Sequence, residues 1–492
     1  MPAAGPNILV IMSDQHSPHL LGCAGDPLVR TPNLDRLAAE GMRFDATYCP
    51  SPLCVPSRMS FMTSMTPSRN RVWCNRHILS SNIPTWAHLM TLAGYHTSLI
   101  GRMHFVGADT RHGFVERPVG ERTAGPAGMP FKGGPHFSRF PRATAGQCRT
   151  AVEVAGRGRT HYQWSDEERT RVAKKWLADW AAEPRDKPFA AVFGQVLPHC
   201  PYVAPKALFN YYYDKVDIPP VEENQPAGIR RLREGRGILD PPLEEQRIRV
   251  ARAAYYGLCE HLDGQVGQVL DILDDTGLAD NTVVIYTSDH GDCAGEHGCW
   301  WKSTYYEASV RVPMIVRWPG VVEPRSTTSA VSNLLDVGPT LLEIAGSAFP
   351  HEVDGRSLVR VLKEGDDPDR PDETVSELWD HREGVAGRML RRGPWKLWQW
   401  SPPGGEPPAL FNLEEDPGEV NDRSADPACR QVRDELMERL NQDWHPTDVD
   451  RTSRRLRDYY DELAKWGATV EVEAPDAMVY PPASFEDDVE LL

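Results

Sequence analysis

Asn7-Ile8-Leu9-Val10-Ile11-Met12-Ser13-Asp14-Gln15-His16 decides how this chain of 492 residues is read. Ile8 to Met12 is an unbroken apolar run of the kind that forms a strand buried on both faces, a habit of parallel sheets. The strand runs straight into Asp14 and Gln15, so two oxygen ligands stand at its carboxyl end, where open α/β sheets bind ligands. The same figure recurs along the chain. Tyr95 to Ile100 leads into Gly101-Arg102-Met103-His104, and Pro188 to Leu197 into Pro198-His199-Cys200-Pro201. Asn281 to Tyr286 leads into Thr287-Ser288-Asp289-His290-Gly291-Asp292.

Between these strands lie helical stretches. Thr31 to Gly41 carries a start signal, a helical period and a terminating glycine. Trp86 to Ala93, the surroundings of Trp176 and Asp336 to Ala345 also read as helices, and Tyr256 to Leu273 repeats apolar residues at core spacing. Pro313 to Trp318 is a further strand. The expected class is therefore α/β, with a large, mostly parallel sheet flanked by helices. Beyond it Val375 to Leu378, Met389 to Arg391 and Trp395 to Trp400 read as short strands, and Gln431 to Leu440 as a helix.

Composition removes several functions. A net charge of -16 argues against a nucleic-acid partner, which selects a basic face. No apolar run approaches the roughly 18 residues of a membrane span, and no basic-then-apolar leader precedes the first strand. The 10 cysteines show no pairing rhythm, which suits reduced thiols. A cytoplasmic protein without membrane or nucleic-acid partners is expected, and a homo-oligomer is allowed for. Residues 107 to 165 hold Arg111, Arg117, Arg122, Arg139, Arg142, Arg149, Arg157 and Arg159, either a solvated loop or a basic mouth that steers anions. A second Arg-rich linker spans Val221 to Arg249.

One stretch points to chemistry: Ser51-Pro52-Leu53-Cys54-Val55-Pro56-Ser57-Arg58. Pro56 fixes a backbone dihedral and interrupts regular structure, Arg58 is a permanent fork for a tetrahedral oxyanion, and Met59 onward reads as a helix whose positive end faces the site. Cys54-x-Pro56-Ser57-Arg58 resembles the maturation motif of the formylglycine-dependent sulfatases. The family motif ends in Thr-Gly; here it reads Thr63-Ser64. The resemblance also covers Asp14-Gln15, Arg102-Met103-His104, Pro198-His199-Cys200-Pro201, Asp289-His290 and Lys302, in order along nearly the whole chain. Sulfatases usually have lysine where Arg102 stands.

The resemblance implies an alkaline phosphatase-like catalytic domain over 1–365, a small antiparallel-sheet subdomain with a helix over 366–470, and an acidic tail over 471–492, disordered or laid across another subunit. It implies that a formylglycine-generating enzyme oxidises Cys54 to formylglycine (3-oxoalanine), whose hydrated aldehyde attacks sulfur. Asp14, Gln15, Asp289 and His290, with position 54, would hold one divalent metal. The oxygen donors favour calcium, the expected ion, or magnesium, while His290 pulls towards manganese or zinc. Asp289 would assist deprotonation, His199 or Lys302 would protonate the leaving oxygen, and Arg58, Arg102 and Lys302 would neutralise charge. His104 would help break down the covalent intermediate. Asn75 would bond a substrate oxygen or cap a turn. The expected reaction is hydrolysis of a small anionic sulfate monoester. The alternatives are a phosphonate monoester hydrolase or phosphodiesterase with the same site and, further off, a non-catalytic binding protein on the same scaffold. Several segments look most like choline sulfatase, for which Tyr162, Trp164 and Glu377 are candidates for a cation pocket.

Overall fold

The computed structural model describes residues 5–121, 146–402, 405–469 and 488–492. In chain order its strands are β1 (Asn7–Asp14), β2 (Met42–Phe44), β3 (Thr47–Tyr48), β4 (His96–Gly101), β5 (Glu116–Val119), β6 (Gly156–Arg159), β7 (Phe189–Pro198), β8 (Val203–Ala204) and β9 (Thr282–Ser288). Then come β10 (Met314–Arg317), β11 (Ser326–Thr328), β12 (Ser332–Asn333), β13 (Glu373–Asp380), β14 (Val385–Arg392), β15 (Trp395–Ser401), β16 (Ala409–Asn412) and β17 (Asp488–Leu491).

Every residue of β1 is buried, which requires cover on both faces of the sheet. Alternate side chains supply two cores. Ile8, Val10 and Met12 pack with Ala190, Val192, Val283 and Ile285 on one face. Leu9 and Ile11 pack with Ala191, Phe193, Val284 and Tyr286 on the other. Helices Pro32–Ala39, His161–Ala182 and Glu245–Asp275 cover the second face, and helices Cys54–Thr63, Trp86–Leu92 and Val337–Ile344 the first.

The large sheet has eight strands in the order β11-β2-β10-β9-β1-β7-β4-β5. It is parallel except for β10, which runs antiparallel to β9 and β2. Register puts the functional turns at one level. Ser13 pairs with Ser288, so Asp14 and Asp289 leave neighbouring strands side by side although far apart in sequence. Gly101 pairs with Gly194, and the next residue, Arg102, donates its N–H to the Gly194 carbonyl at 2.8 Å. A Cβ at position 194 would overlap the Arg102 carbonyl, so only glycine permits this crossing.

The small sheet, β13-β14-β15-β16, is antiparallel throughout. Helix Arg430–Asn441 packs on it, and so does helix Pro446–Thr469, which the sequence reading did not single out. Its inner residues, among them Trp379, Met389, Trp398 and Trp400, join the core that also holds Ile8 and Val10, so the two sheets share one apolar mass.

Other expectations need correcting. The helix expected from Met59 begins at Cys54. Pro56 does not break it, because a first-turn residue has no intrahelical N–H bond to lose. The linker Val221 to Arg249 contains helix Ala227–Gly235. Of the acidic tail, 471–487 lies outside the described residues, whereas β17 pairs antiparallel with β6 of its own chain. In the Arg-rich insertion Arg122, Arg139 and Arg142 lie outside the described residues, and Arg149, Arg157 and Arg159 pair with Glu153, Glu490 and Glu167. Those three carry no free basic excess for steering.

Candidate active site

Cys54 opens its helix at the carboxyl edge of the large sheet and is 1% exposed. The helix is short of N-terminal acceptors, and Asn75 supplies one: its Oδ1 accepts from the Val55 N–H at 2.9 Å. Of the two roles expected for Asn75, this is the cap. At the far end Ser64 sits at φ 56°, in the left-handed region that explains why the motif usually carries glycine there. Gly338 lies against it, where a Cβ would overlap the Ser64 hydroxyl.

The Cys54 Sγ lies 3.6 Å from Asp14 Oδ1, 3.2 Å from His290 Nε2 and 3.1 Å from Lys302 Nζ. Asp14, Cys54, Asp289 and His290 form a buried group whose donor atoms all lie within 4.8 Å of one another. Each donor is turned inward by a second contact. Arg58 Nε takes Asp289 Oδ2 at 2.7 Å, and Arg102 Nε takes Asp14 Oδ2 at 2.7 Å, leaving both Oδ1 atoms facing the group. They lie 3.5 Å (Asp289) and 3.7 Å (Asp14) from His290 Nε2. His290 Nδ1 lies 3.0 Å from the Gly291 carbonyl, so Nδ1 carries the proton and Nε2 offers a lone pair. Burial first, helped by the nearby Lys302, lowers the His290 pKa and keeps the ring neutral.

The donor set fits a divalent cation: two carboxylate oxygens, a neutral imidazole, position 54, and the Gln15 amide oxygen beside them. Gln15 stands at φ 72°, with its Nε2 donating to Asp292 Oδ2 and its Oε1 accepting from Lys302 Nζ, both at 2.7 Å. Asp292 also accepts from Tyr202, Ala294 and Trp301, and Tyr255 bonds the Gln15 carbonyl. No side-chain role was read from the sequence for Asp292, although it stands three residues after Asp289 in the same run.

Charge is finely divided here. Burial alone would raise the Asp14 carboxyl, but Arg102 foremost, with Arg58 and Lys302, outweighs it and holds Asp14 well below the usual range. Arg58 spends its donors on Asp289, Asp14 and the carbonyls of Ser13 and Arg102, so it sits behind the ligands as their clamp. Arg102 bridges Asp14, Glu121 Oε2 at 2.8 Å and His104 Nδ1 at 2.7 Å. Arg58, Arg102 and Lys302, with Arg117 behind Glu121, thus offset the carboxylates of Asp14, Asp289 and Glu121, and a divalent cation would add to the positive charge that meets an anionic ester.

Lys302 Nζ also meets His199 Nε2 at 2.8 Å, while His199 Nδ1 lies 2.6 Å from the Cys200 carbonyl. His199 therefore carries its proton on Nδ1 and accepts from Lys302. The Tyr162 ring stands edge-on to His199 at 6.0 Å. Glu377 is elsewhere: its Oε2 accepts from the Ser68 amide and hydroxyl, and its Oε1 lies 3.3 Å from Arg388 Nε. Its carboxylate is thus engaged by Ser68 and Arg388, while its N–H donates to the Pro50 carbonyl at 2.9 Å. Trp164 lies half-buried on the Tyr162 helix. Among the described residues no helix is long and apolar enough to cross a membrane, and all ten cysteines are free thiols.

An alkaline phosphatase-like sheet that gathers two carboxylates, an imidazole and the thiol of the first residue of a helix at its carboxyl edge has the make-up of a hydrolase of tetrahedral oxyanion esters. The profile described as Sulfatase matches residues 6–347, and the one described as N-sulphoglucosamine sulphohydrolase, C-terminal, matches 295–445. The chain belongs to the sulfatase family and is a sulfuric ester hydrolase. It is 33% identical over 442 residues to the choline-sulfatase of Rhizobium meliloti (strain 1021), covering 87% of this chain and 84% of that protein. Arylsulfatase K of Bos taurus is 29% identical, over 85% of this chain and 78% of that protein. Among solved structures, the phosphonate monoester hydrolase SpPMH from Silicibacter pomeroyi superposes with a TM-score of 0.71 at 25% identity, covering 89% of this chain and 94% of that one.

Proposed function

We propose that this sulfatase hydrolyses a small sulfate monoester with formylglycine at position 54 and one divalent cation, calcium, held by Asp14, Gln15, Asp289, His290 and position 54. The observation that carries the reading is the position of the Cys54 side chain, in reach of Asp14, His290 and Lys302 together. The formylglycine hydrate and the cation would supply an attacking oxygen at neutral pH and a second hydroxyl through which product is released.

The chain's own residues do the rest. Asp289 Oδ1 takes the proton of the attacking group. Lys302 Nζ gives a proton to the departing ester oxygen, and His199 Nε2, which accepts from it, holds the ammonium in place. Arg102 has five N–H donors, three of them committed to Asp14, Glu121 and His104, and turns the others towards the transferred group. Arg58 acts through the two carboxylates. The choline-sulfatase likeness makes a cationic alcohol the first to try, with Tyr162 beside His199 as its aromatic contact. We assign the enzyme to the cytoplasm, where unbridged thiols persist, with a formylglycine-generating enzyme as its maturation partner.

The likeness to phosphonate monoester hydrolase supports a second reading, phosphodiester or phosphonate hydrolysis in the same site. Peptide mass analysis around position 54, metal analysis, and rates on matched aryl sulfates and phosphate mono- and diesters decide. Aldehyde, stoichiometric calcium and faster sulfate release are expected. Full activity with an unmodified thiol overturns the nucleophile, and faster diester release moves the substrate to phosphorus.

A further inference from the structure

Glu121 lies in the insertion between the motifs, where nothing in the sequence marks it, yet it is fully buried and its carboxylate meets both Arg102 and the backbone of the His104 turn. Its Oε1 accepts from two successive amides, Met103 at 2.9 Å and the adjoining His104 N–H, and its Oε2 accepts from Arg102 Nη1 at 2.8 Å. The two amides converge because His104 stands at φ 58°, a left-handed conformation that costs a non-glycine residue roughly 1 kcal/mol. Charge-assisted bonds to a buried carboxylate offset that strain. Burial would raise the Glu121 carboxyl, but Arg102 foremost, with Arg117 and Arg169, brings it down to about 2.

We propose that Glu121 is the positioning residue of this site: by fixing the Arg102 guanidinium and the His104 turn together, it locks His104 in the tautomer whose proton is on Nε2. The reasoning is stereochemical. Arginine only donates, so the Nδ1 that lies 2.7 Å from Arg102 Nη2 must accept, and a neutral ring then keeps its one proton on Nε2. A lysine, usual at position 102 in sulfatases, carries its three N–H donors on one nitrogen and cannot span Asp14, Glu121 and the His104 ring, which Arg102 meets through three different nitrogens of a planar fork. The arginine and Glu121 work as a unit. His104 thereby meets the reacting group first as a hydrogen-bond donor through Nε2, and takes up a proton only by giving up its bond to Arg102. This inference rests on the reading of His104 as part of the hydrolytic site.

The test uses the full chain. Histidine ¹⁵N NMR of the wild type, with thiol or aldehyde at position 54, is expected to show His104 with Nδ1 bare and Nε2 protonated. In Glu121→Gln, which keeps the shape and the amide acceptor but loses the charge, the signal is expected to become a mixture of tautomers. The same variant is expected to lose about 10- to 100-fold in kcat with KM within about threefold, and to lose no more than about twofold when His104 is already alanine. A wild-type His104 protonated on Nδ1, losses that multiply in the double variant, or a Glu121→Gln chain that fails to fold each overturn the proposal. Wild-type turnover of a sulfate ester tests the underlying function separately, since the tautomer is read without turnover.

Discussion

Two of the buried ionic clusters among the described residues are built from the same kinds of side chain to opposite ends. At the carboxyl edge of the large sheet, Asp14, Asp289, Arg58, Arg102 and Lys302 surround the Cys54 thiol and leave carboxylate oxygens and an imidazole nitrogen turned to one point. Where the small sheet meets the large one, Lys396 of β15 bonds Glu307 Oε1 at 2.7 Å and also Glu419, while Tyr48 and Arg391 continue the chain. Glu419 Oε2 in turn accepts from the Glu307 amide at 2.6 Å. Burial opposes the charge of both carboxylates there; Lys396 foremost brings Glu307 down to about 2, while Glu419, sharing that ammonium, is raised. The second cluster closes on itself and fastens two layers. The first is held open by its own arginines, which turn lone pairs towards a centre rather than towards each other. A buried charge network is thus a site only when its geometry withholds some of its valence.

Substitutions can separate the two. Cys54→Ala is expected to lower sulfate ester hydrolysis on the order of 10⁵-fold with the thermal midpoint unchanged, read by steady-state rates and calorimetry. Undiminished turnover would sink the nucleophile assignment. Lys302→Ala is expected to cost about 10²- to 10⁴-fold in kcat, less for esters whose alcohol leaves without a proton; an equal loss on good and poor leaving groups would remove Lys302 as the donor. At the other cluster Lys396→Met is expected to destabilise by about 3–5 kcal/mol in urea unfolding, because two carboxylates lose their buried partner, while kcat of the folded fraction holds. A kcat loss matching that at Lys302 would mean the fastening also shapes the site.

The smallest effect lies between the clusters. His77 stacks on Trp379 of β13 and its Nδ1 accepts from the Trp73 amide at 3.1 Å. Burial lowers its pKa from 6.5 to about 4. The folded chain thus binds fewer protons than the unfolded one between those values, so this contribution is intact above pH 6.5 and declines as the pH falls towards 4. His77→Gln is expected to flatten the stability profile in that window by up to about 3 kcal/mol. A profile of unchanged slope would show that another buried histidine, such as His16, governs it.

The large sheet was legible because its strands are buried on both faces and so spell themselves as apolar runs, and because Asp14, Arg102, His199 and Asp289 follow those runs at once. Cys54 was legible from its neighbours. What was not legible is what depends on distant pairing. Glu121, Lys396 with Glu307 and Glu419, and the acids that neutralise Arg149, Arg157 and Arg159 are ordinary charged residues until the fold brings them together. Asn75 could cap or bind until Val55 claimed its oxygen. Pro56 misled because the same ring that ends a helix from within is welcome in its first turn.

The register of β1 against β9 also sets a clock. Cys54 is 1% exposed in the finished fold, walled by residues that include Asp289, His290 and Lys302. During synthesis those residues do not yet exist: about 250 residues separate Cys54 from Lys302, which at typical elongation rates is on the order of 10 to 50 s. Until Pro198 is made β1 lacks both of its neighbours, from then until β9 is made it lacks one, and throughout the thiol lacks its lid. An enzyme that altered the Cys54 side chain would have to work on a growing or unfolded chain, and its opportunity would end when β9 docks.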